Sequence, residues 1–150
     1  MALKKLCSRT GCHRVIDADK KYCSRHEHLD KERYKEYQQR RLQDKLQKKY
    51  QEFYASISWK RLRKEVITAL LGMDILEYYT TGQIVPGERV HHIIGLDDDW
   101  SSRLDSLNCI YLTEKNHRIV HAAYERSPKD KKAMQTKLFQ LLDRFYEEFK

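Results

Sequence analysis

Between Leu29 and Leu70 the chain contains no glycine and no proline, and that absence limits its fold more than any other feature. Those two residues are the strongest breaks in helix and strand, so a long polar stretch without them is expected to form one or two helices. Tyr34, Tyr37, Leu42, Leu46, Tyr50 and Phe53 give it a loosely helical apolar stripe. Charged residues make up 35 % of the 150-residue chain. The core is therefore modest, on the scale of one compact domain with appendages.

Around this helical region, residues 29–70, the sequence divides into three further stretches. Residues 1–28 hold three of the four cysteines and three of the seven histidines. Residues 71–127 bring back glycine, proline and β-branched residues. There Gln83-Ile-Val-Pro-Gly-Glu-Arg-Val90 predicts a short strand, a Pro-Gly turn and the start of a second strand. Cys109-Ile-Tyr-Leu112 predicts another strand, and His117, Val120 and Tyr124 share a helical spacing that starts near Glu114. In residues 128–150, Ser127 suits a helix N-cap and Pro128 the first helical position. Met134, Leu138, Leu141, Leu142, Phe145 and Phe149 then form one apolar face, expected to pack on the rest of the protein or on a second copy.

The net charge of +8 and pI of about 9.3 favour a polyanionic partner, nucleic acid foremost. Residues 31–64 carry 12 Lys or Arg against 4 Asp or Glu. Lys60, Arg61 and Arg63 belong to this stretch, whose phosphate contacts would be sensitive to salt and indifferent to sequence. Tyr34, Tyr37, Tyr50 and Trp59 are candidates for stacking on bases, although their spacing suits helix packing better. No apolar run reaches the roughly 18 residues that a membrane-spanning helix needs, and the first residues lack a signal-peptide core. A cytoplasmic protein is the expectation, with its cysteines as thiols or metal ligands.

Val90-His91-His92-Ile93 reads as strand, where neighbouring side chains point to opposite faces. Two adjacent histidines there suggest two different tasks. His117 and His121, four apart on a helix, put both imidazoles on one face. Three of these rings could meet at one cation and leave a fourth to take a proton from water near neutral pH. Phosphodiester hydrolysis needs those parts.

Val90-His-His-Ile-Ile-Gly-Leu96, Arg103-Leu-Asp-Ser-Leu-Asn-Cys-Ile-Tyr-Leu112 and Asn116-His-Arg-Ile-Val-His121 together resemble the HNH endonuclease motif, particularly of phage-encoded members and of colicin nuclease domains. The similarity extends over about residues 54–124 and includes Phe53-Tyr-Ala-Ser-Ile-Ser-Trp-Lys-Arg-Leu-Arg63. It implies an α+β fold, mostly helical, with a ββα-metal (His-Me finger) core in which a hairpin and a helix grip one divalent ion (Zn, Ni, Mn, Co or Mg). By that resemblance His91, His117 and His121 are metal ligands and His92 is the general base. Asn108 pins the hairpin loop, and Arg118 is a candidate phosphate contact. The products implied carry 5′-phosphate and 3′-hydroxyl ends, and the partners implied are DNA and, in phage relatives, terminase and portal proteins. In that setting the compartment is the host cytoplasm.

Many phage members also hold a structural zinc with two Cys-x2-Cys pairs. Here Asp74 and Glu77 stand where the first pair is expected and no second pair accompanies His117, so packing is expected to hold this core. Cys109 is read as a small buried hydrophobe. Asp97-Asp98-Asp99 is read as a solvated loop.

At the other end, Cys7-x4-Cys12-x10-Cys23-x2-His26 gives four soft ligands in two clusters, a pattern suited to a closed structural zinc site. His13 and His28 are rival ligands. Such a short stretch hardly folds on a core of its own, and it resembles small zinc modules at the start of some phage HNH proteins. Two other readings compete with a DNA-cutting enzyme. One is a non-catalytic zinc-dependent DNA-binding or adaptor protein on an HNH scaffold. The other, a toxin-type nuclease, is disfavoured by the lack of a visible export signal.

Overall fold

The computed structural model describes residues 3–149. It is a mostly helical α+β structure with two small sheets, and it divides into two compact units, residues 1–51 and 52–150.

In the first unit, β1 (Lys4–Leu6) pairs antiparallel with β2 (Val15–Asp17). Cys7, Ile16, Tyr22 and Cys23 form its small buried cluster. A long helix, α1 (His28–Ala55), follows, and Phe53 is its one buried residue. The helical expectation for residues 29–70 thus resolves into two helices, with α2 spanning Ile57–Ala69. Ser56 makes the break. Its hydroxyl donates to the Phe53 carbonyl (2.6 Å) and accepts from the Trp59 amide (3.1 Å), so one side chain serves the end of one helix and the start of the next.

The second unit continues with α3 (Ile75–Thr81), β3 (Arg89–His92), β4 (Cys109–Leu112), α4 (Glu114–Arg126) and α5 (Pro128–Glu148). Strands β3 and β4 pair antiparallel, with His91 opposite Ile110 and His92 opposite Cys109. Val66 of α2 and Leu70 just after it, Ile75 of α3, Ile93, Ile110 and Leu112 at the sheet, Val120 of α4, and Leu138, Leu142 and Phe145 of α5 make the core. Cys109 is fully buried among them, and burial pushes its thiol up to about 12, which suits an inert packing residue. As the sequence predicted, Ser127 caps α5 by accepting from the Asp130 amide (3.0 Å), and Pro128 opens the helix. Phe149, placed on the apolar face by spacing, follows the last turn of α5 and stacks on Phe145 with ring centroids 4.6 Å apart while staying about half exposed.

The strand expected before the Pro-Gly turn does not form. Pro86 makes only an isolated bridge to Met73. Backbone groups on either side of it are taken by the turn after α2, through Asp74 N to Val85 O (2.8 Å) and Gly87 N to Gly72 O (3.0 Å). Proline has no N–H to extend a ladder. Gly87 is required by a close approach, because a Cβ there would lie 2.3 Å from the Tyr111 ring.

Candidate metal centre and its supports

The pleat of β3 sends its two histidines to different neighbours. His91 faces α4: its ring centroid lies 5.3 Å from that of His117 and 5.1 Å from that of His121. His117 and His121, one helical turn apart, bring their Nε2 atoms to 3.2 Å. One nitrogen from each of the three rings lies within 4.8 Å of the others. Nitrogens around one tetrahedral ion with bonds of about 2.0–2.1 Å stand roughly 3.4 Å apart, so the spacing fits a single cation. The His91 Nε2 atom supports that fit independently. It is buried and has no hydrogen-bond partner, an arrangement that costs free energy unless something fills it. Burial, with the neighbouring imidazoles second, holds His91 down at about pKa 3; burial also lowers His117. Both rings are therefore neutral near pH 7, the form in which imidazole binds metals.

His92 has different surroundings. Its ring stacks on Trp59, with centroids 4.8 Å apart and planes 24° apart, and Phe53 and Tyr54 approach as well. His92 Nε2 lies 2.9 Å from the Arg103 carbonyl oxygen. A carbonyl only accepts, so Nε2 carries the hydrogen and Nδ1 of the neutral ring is left with its lone pair. Burial lowers the pKa of His92, partly opposed by that hydrogen bond.

Asn108 supports the loop that supplies the carbonyl. Its Oδ1 accepts from the Ile94 amide (2.8 Å), and its Nδ2 donates to the Ile94 carbonyl (3.0 Å) and to Ser102 Oγ (3.2 Å). Ser102 is the neighbour of Arg103, so the amide fixes the segment against which His92 is set. A second clamp acts one residue past the histidine pair. The Ile93 carbonyl accepts from Tyr124 Oη (2.7 Å) of α4 and from Gln135 Nε2 (3.2 Å) of α5.

The helical side is held by a buried polar knot that the packing expectation overlooked. Asp74 is fully buried. One of its oxygens caps α3 by accepting from the Glu77 amide (2.9 Å). The other accepts from Thr113 N (2.8 Å), Thr113 Oγ1 (2.9 Å) and Asn116 Nδ2 (2.8 Å). Asn116 also donates to Glu77 (2.9 Å). Asn116 directly precedes His117, so the positions discussed above for zinc cysteines carry side chains that fasten the first turn of α4 by hydrogen bonds.

The chain is similar in structure to a solved nuclease. The match is the HNH endonuclease of the deep-sea thermophilic bacteriophage GVE2, solved with a manganese ion, at a TM-score of 0.51 and 29 % identity over 55 % of this chain and 89 % of that chain. The fold is therefore HNH-like. Residues 1–49 match the model of a domain of unknown function, DUF8602. The curated proteins gave no match.

In the N-terminal unit, Cys7, Cys12, Cys23 and His26 each place one ligand atom within 4.8 Å of the others. Cys7 Sγ lies 3.6 Å and Cys23 Sγ 3.3 Å from His26 Nδ1, and Cys12 and Cys23 sulfurs are 4.0 Å apart. Burial raises the Cys7 thiol, but the Arg9 and Cys23 amides and the His26 ring outweigh it and bring the pKa down to about 6. His13 and His28 lie outside this group. Three thiols and one imidazole at these distances fit a tetrahedral zinc.

The basic sequence candidates lie on exposed surface. Lys60, Arg61 and Arg63 are exposed on α2. Arg118 is exposed on α4 and ion-paired with Glu114 at 3.4 Å. Trp59 is buried against His92 and offers no face to a base. Of the Asp97–Asp99 run, Asp98 pairs with Lys131 and Asp99 caps the turn at Ser101. Sequence reasoning missed the packing of Trp59 on His92, the Arg103 carbonyl, Gln135 and the Asp74 knot. Trp59 lay inside the segment that resembles phage members, and this was the one available signal.

Proposed function

We propose that this chain is a metal-dependent endonuclease that hydrolyses DNA phosphodiester bonds. The observation that supports it most is the division of labour at β3. His91 joins His117 and His121 around one point, while His92 is held with its Nδ1 lone pair free. His91, His117 and His121 would hold one divalent ion, whose chemistry when bound is Lewis acidity toward a phosphate oxygen and the leaving alkoxide. His92 acts as general base, accepting at Nδ1 a proton from the attacking water. Its lowered pKa keeps it unprotonated at neutral pH. Trp59 restricts the ring by stacking, and Asn108, through the Ser102–Arg103 loop, fixes its tautomer. Arg118 and the exposed Lys60, Arg61 and Arg63 are proposed phosphate contacts.

Three imidazoles favour zinc, nickel, cobalt or manganese over magnesium, and the similar phage enzyme was solved with manganese. The Cys7–Cys12–Cys23–His26 group is proposed to hold a structural zinc. A place beside terminase and portal proteins in genome packaging rests on the resemblance to phage HNH proteins alone.

The test is plasmid cleavage across Mg, Mn, Ni, Co and Zn with wild type and His92→Ala. Wild type is expected to cut only with a divalent ion. His92→Ala should lose about 10²–10⁴-fold in rate while still binding cobalt. Cutting by His92→Ala at the wild-type rate would refute the assignment of the base. DNA binding without cleavage in every metal would favour a non-catalytic adaptor.

A further inference from the structure

The N-terminal unit carries positive charge that neither the cysteine cluster nor any ion pair accounts for. Three lysines near the cysteine cluster are matched: Lys4 and Lys20 pair with Asp17, and Lys21 with Asp30. Arg9, Arg14 and Arg25 are exposed, and among the described residues none forms a salt bridge. All three line one pocket of about 320 Å³, together with Thr10, Gly11, His13 and the candidate zinc ligands Cys12 and His26, and no carboxylate lines it. The neighbouring pockets are mixed: one has Asp17 and Glu27 among its walls, the other Glu32 and Glu36.

The loops that bring the metal ligands together also place these arginines. Arg9 lies between Cys7 and Cys12, in a turn closed by Cys12 N to Arg9 O (3.0 Å). Gly11 gives that turn its left-handed φ of +80°, and a Cβ there would meet nothing within 4 Å, so the turn is open. The Arg14 carbonyl accepts from the Cys7 amide (2.9 Å), and Arg25 sits in the turn closed by His26 N to Cys23 O (2.8 Å). The backbone turns that bring the four ligands together therefore also set the three arginines around one space. Like charges brought together repel, which an anion in that space would relieve. A guanidinium fork matches phosphate oxygens two at a time.

We propose that this pocket holds a backbone phosphate of nucleic acid, so that the cysteine module is a second DNA contact. Nucleic acid is favoured over an isolated phosphate because residues 31–51 of the same unit carry 8 Lys or Arg against 3 Asp or Glu. The proposal rests on DNA as the partner named above and adds this module's part in holding it.

The test uses the full zinc-loaded chain with His92→Ala to prevent cutting. Binding to a short duplex is followed by fluorescence anisotropy between about 50 and 200 mM salt. The triple variant Arg9→Ala, Arg14→Ala, Arg25→Ala is compared with Lys4→Ala, Lys20→Ala, Lys21→Ala, which removes the same charge from the same unit. The arginine triple should flatten the slope of log K against log salt by about 1 to 3, and the lysine triple should keep the wild-type slope. Single Arg9→Gln and Arg25→Gln variants, milder for the fold, should each flatten it by about 1. A wild-type slope in the arginine variants would overturn the proposal, as would equal losses in both triples, which would mean that only net charge matters. Loss of zinc from the arginine variants would also overturn it and assign the guanidiniums to the thiolates. If the parent chain does not bind DNA at all, the nucleic-acid reading fails first.

Discussion

Replacing Asp74 by Asn tests whether the buried knot, and not packing alone, fastens the metal-ligand helix. The amide keeps the volume of the carboxylate but only one acceptor oxygen. Turned toward Thr113 and Asn116, that oxygen keeps three hydrogen bonds, and the new NH2 group then points at the Glu77 amide. The α3 cap is lost, at about 1 kcal/mol, and a buried donor is left unmatched, at about 1–3 kcal/mol. The opposite rotamer saves the cap and gives up three bonds, so the first is preferred. The expected destabilisation is about 2–4 kcal/mol. Both tryptophans, Trp59 and Trp100, lie in residues 52–150, so urea unfolding followed by tryptophan fluorescence reports this unit. The midpoint should fall with an unchanged m-value. Cobalt affinity should fall as well, because Asn116 adjoins His117. A loss below about 1 kcal/mol, with normal cobalt binding, would show that hydrophobic contacts suffice.

Acid should destabilise the metal-free protein through His91. Its folded pKa of about 3 lies below the ordinary 6.5, so the unfolded chain binds the proton first and stability falls as pH drops from 6.5 toward 3. Linkage gives a His91 share of about 2 kcal/mol lost between pH 7.5 and 5, which His91→Phe should remove in urea titrations at the two pH values, leaving the part due to the other lowered histidines, His92 and His117. Cys23→Ser should remove the structural zinc, measured by metal analysis, and expose residues 3–28 to protease while the tryptophan-monitored unfolding of residues 52–150 stays as in wild type. Tyr124→Phe removes one of two donors to the Ile93 carbonyl and should cost about 1 kcal/mol. A Tyr124→Phe, Gln135→Leu double variant should lose more than the sum of the two singles, since it leaves that carbonyl without either side-chain donor.

What was legible in the sequence was local. The i, i+4 spacing of His117 and His121, the alternation at His91 and His92, and the Ser127-Pro128 helix start all act within a turn or a strand. Their geometry follows from backbone periodicity. The supports of the site are not local. Asp74 reaches Thr113 and Asn116 across about 40 residues, Gln135 reaches the Ile93 carbonyl from another helix, and Trp59 meets His92 from α2. No periodicity announces such contacts, because each depends on how elements pack. The failed strand before Pro86 shows the same limit from the other side. Its residues have the right propensities, but the partner that reached them was the turn at Gly72–Asp74.

The adjacent histidines show how little sequence is needed to make two chemistries from one residue type. Both stand on β3 with the same backbone and are equally buried at 6 % exposure, so burial alone cannot separate them. The pleat turns one toward α4, where its ring meets two imidazoles and its Nε2 has no hydrogen-bond partner. It turns the other toward Trp59 and a carbonyl, where Nε2 is satisfied and the ring's orientation is fixed. An unsatisfied nitrogen among neutral rings is suited to a cation, and a satisfied one with a free Nδ1 lone pair is suited to a proton. A one-residue shift in the pairing of β3 with β4 would exchange the two environments. The contacts that fix this register, Asn108 with Ile94 and the two donors on Ile93, are therefore as necessary to the proposed chemistry as the histidines themselves.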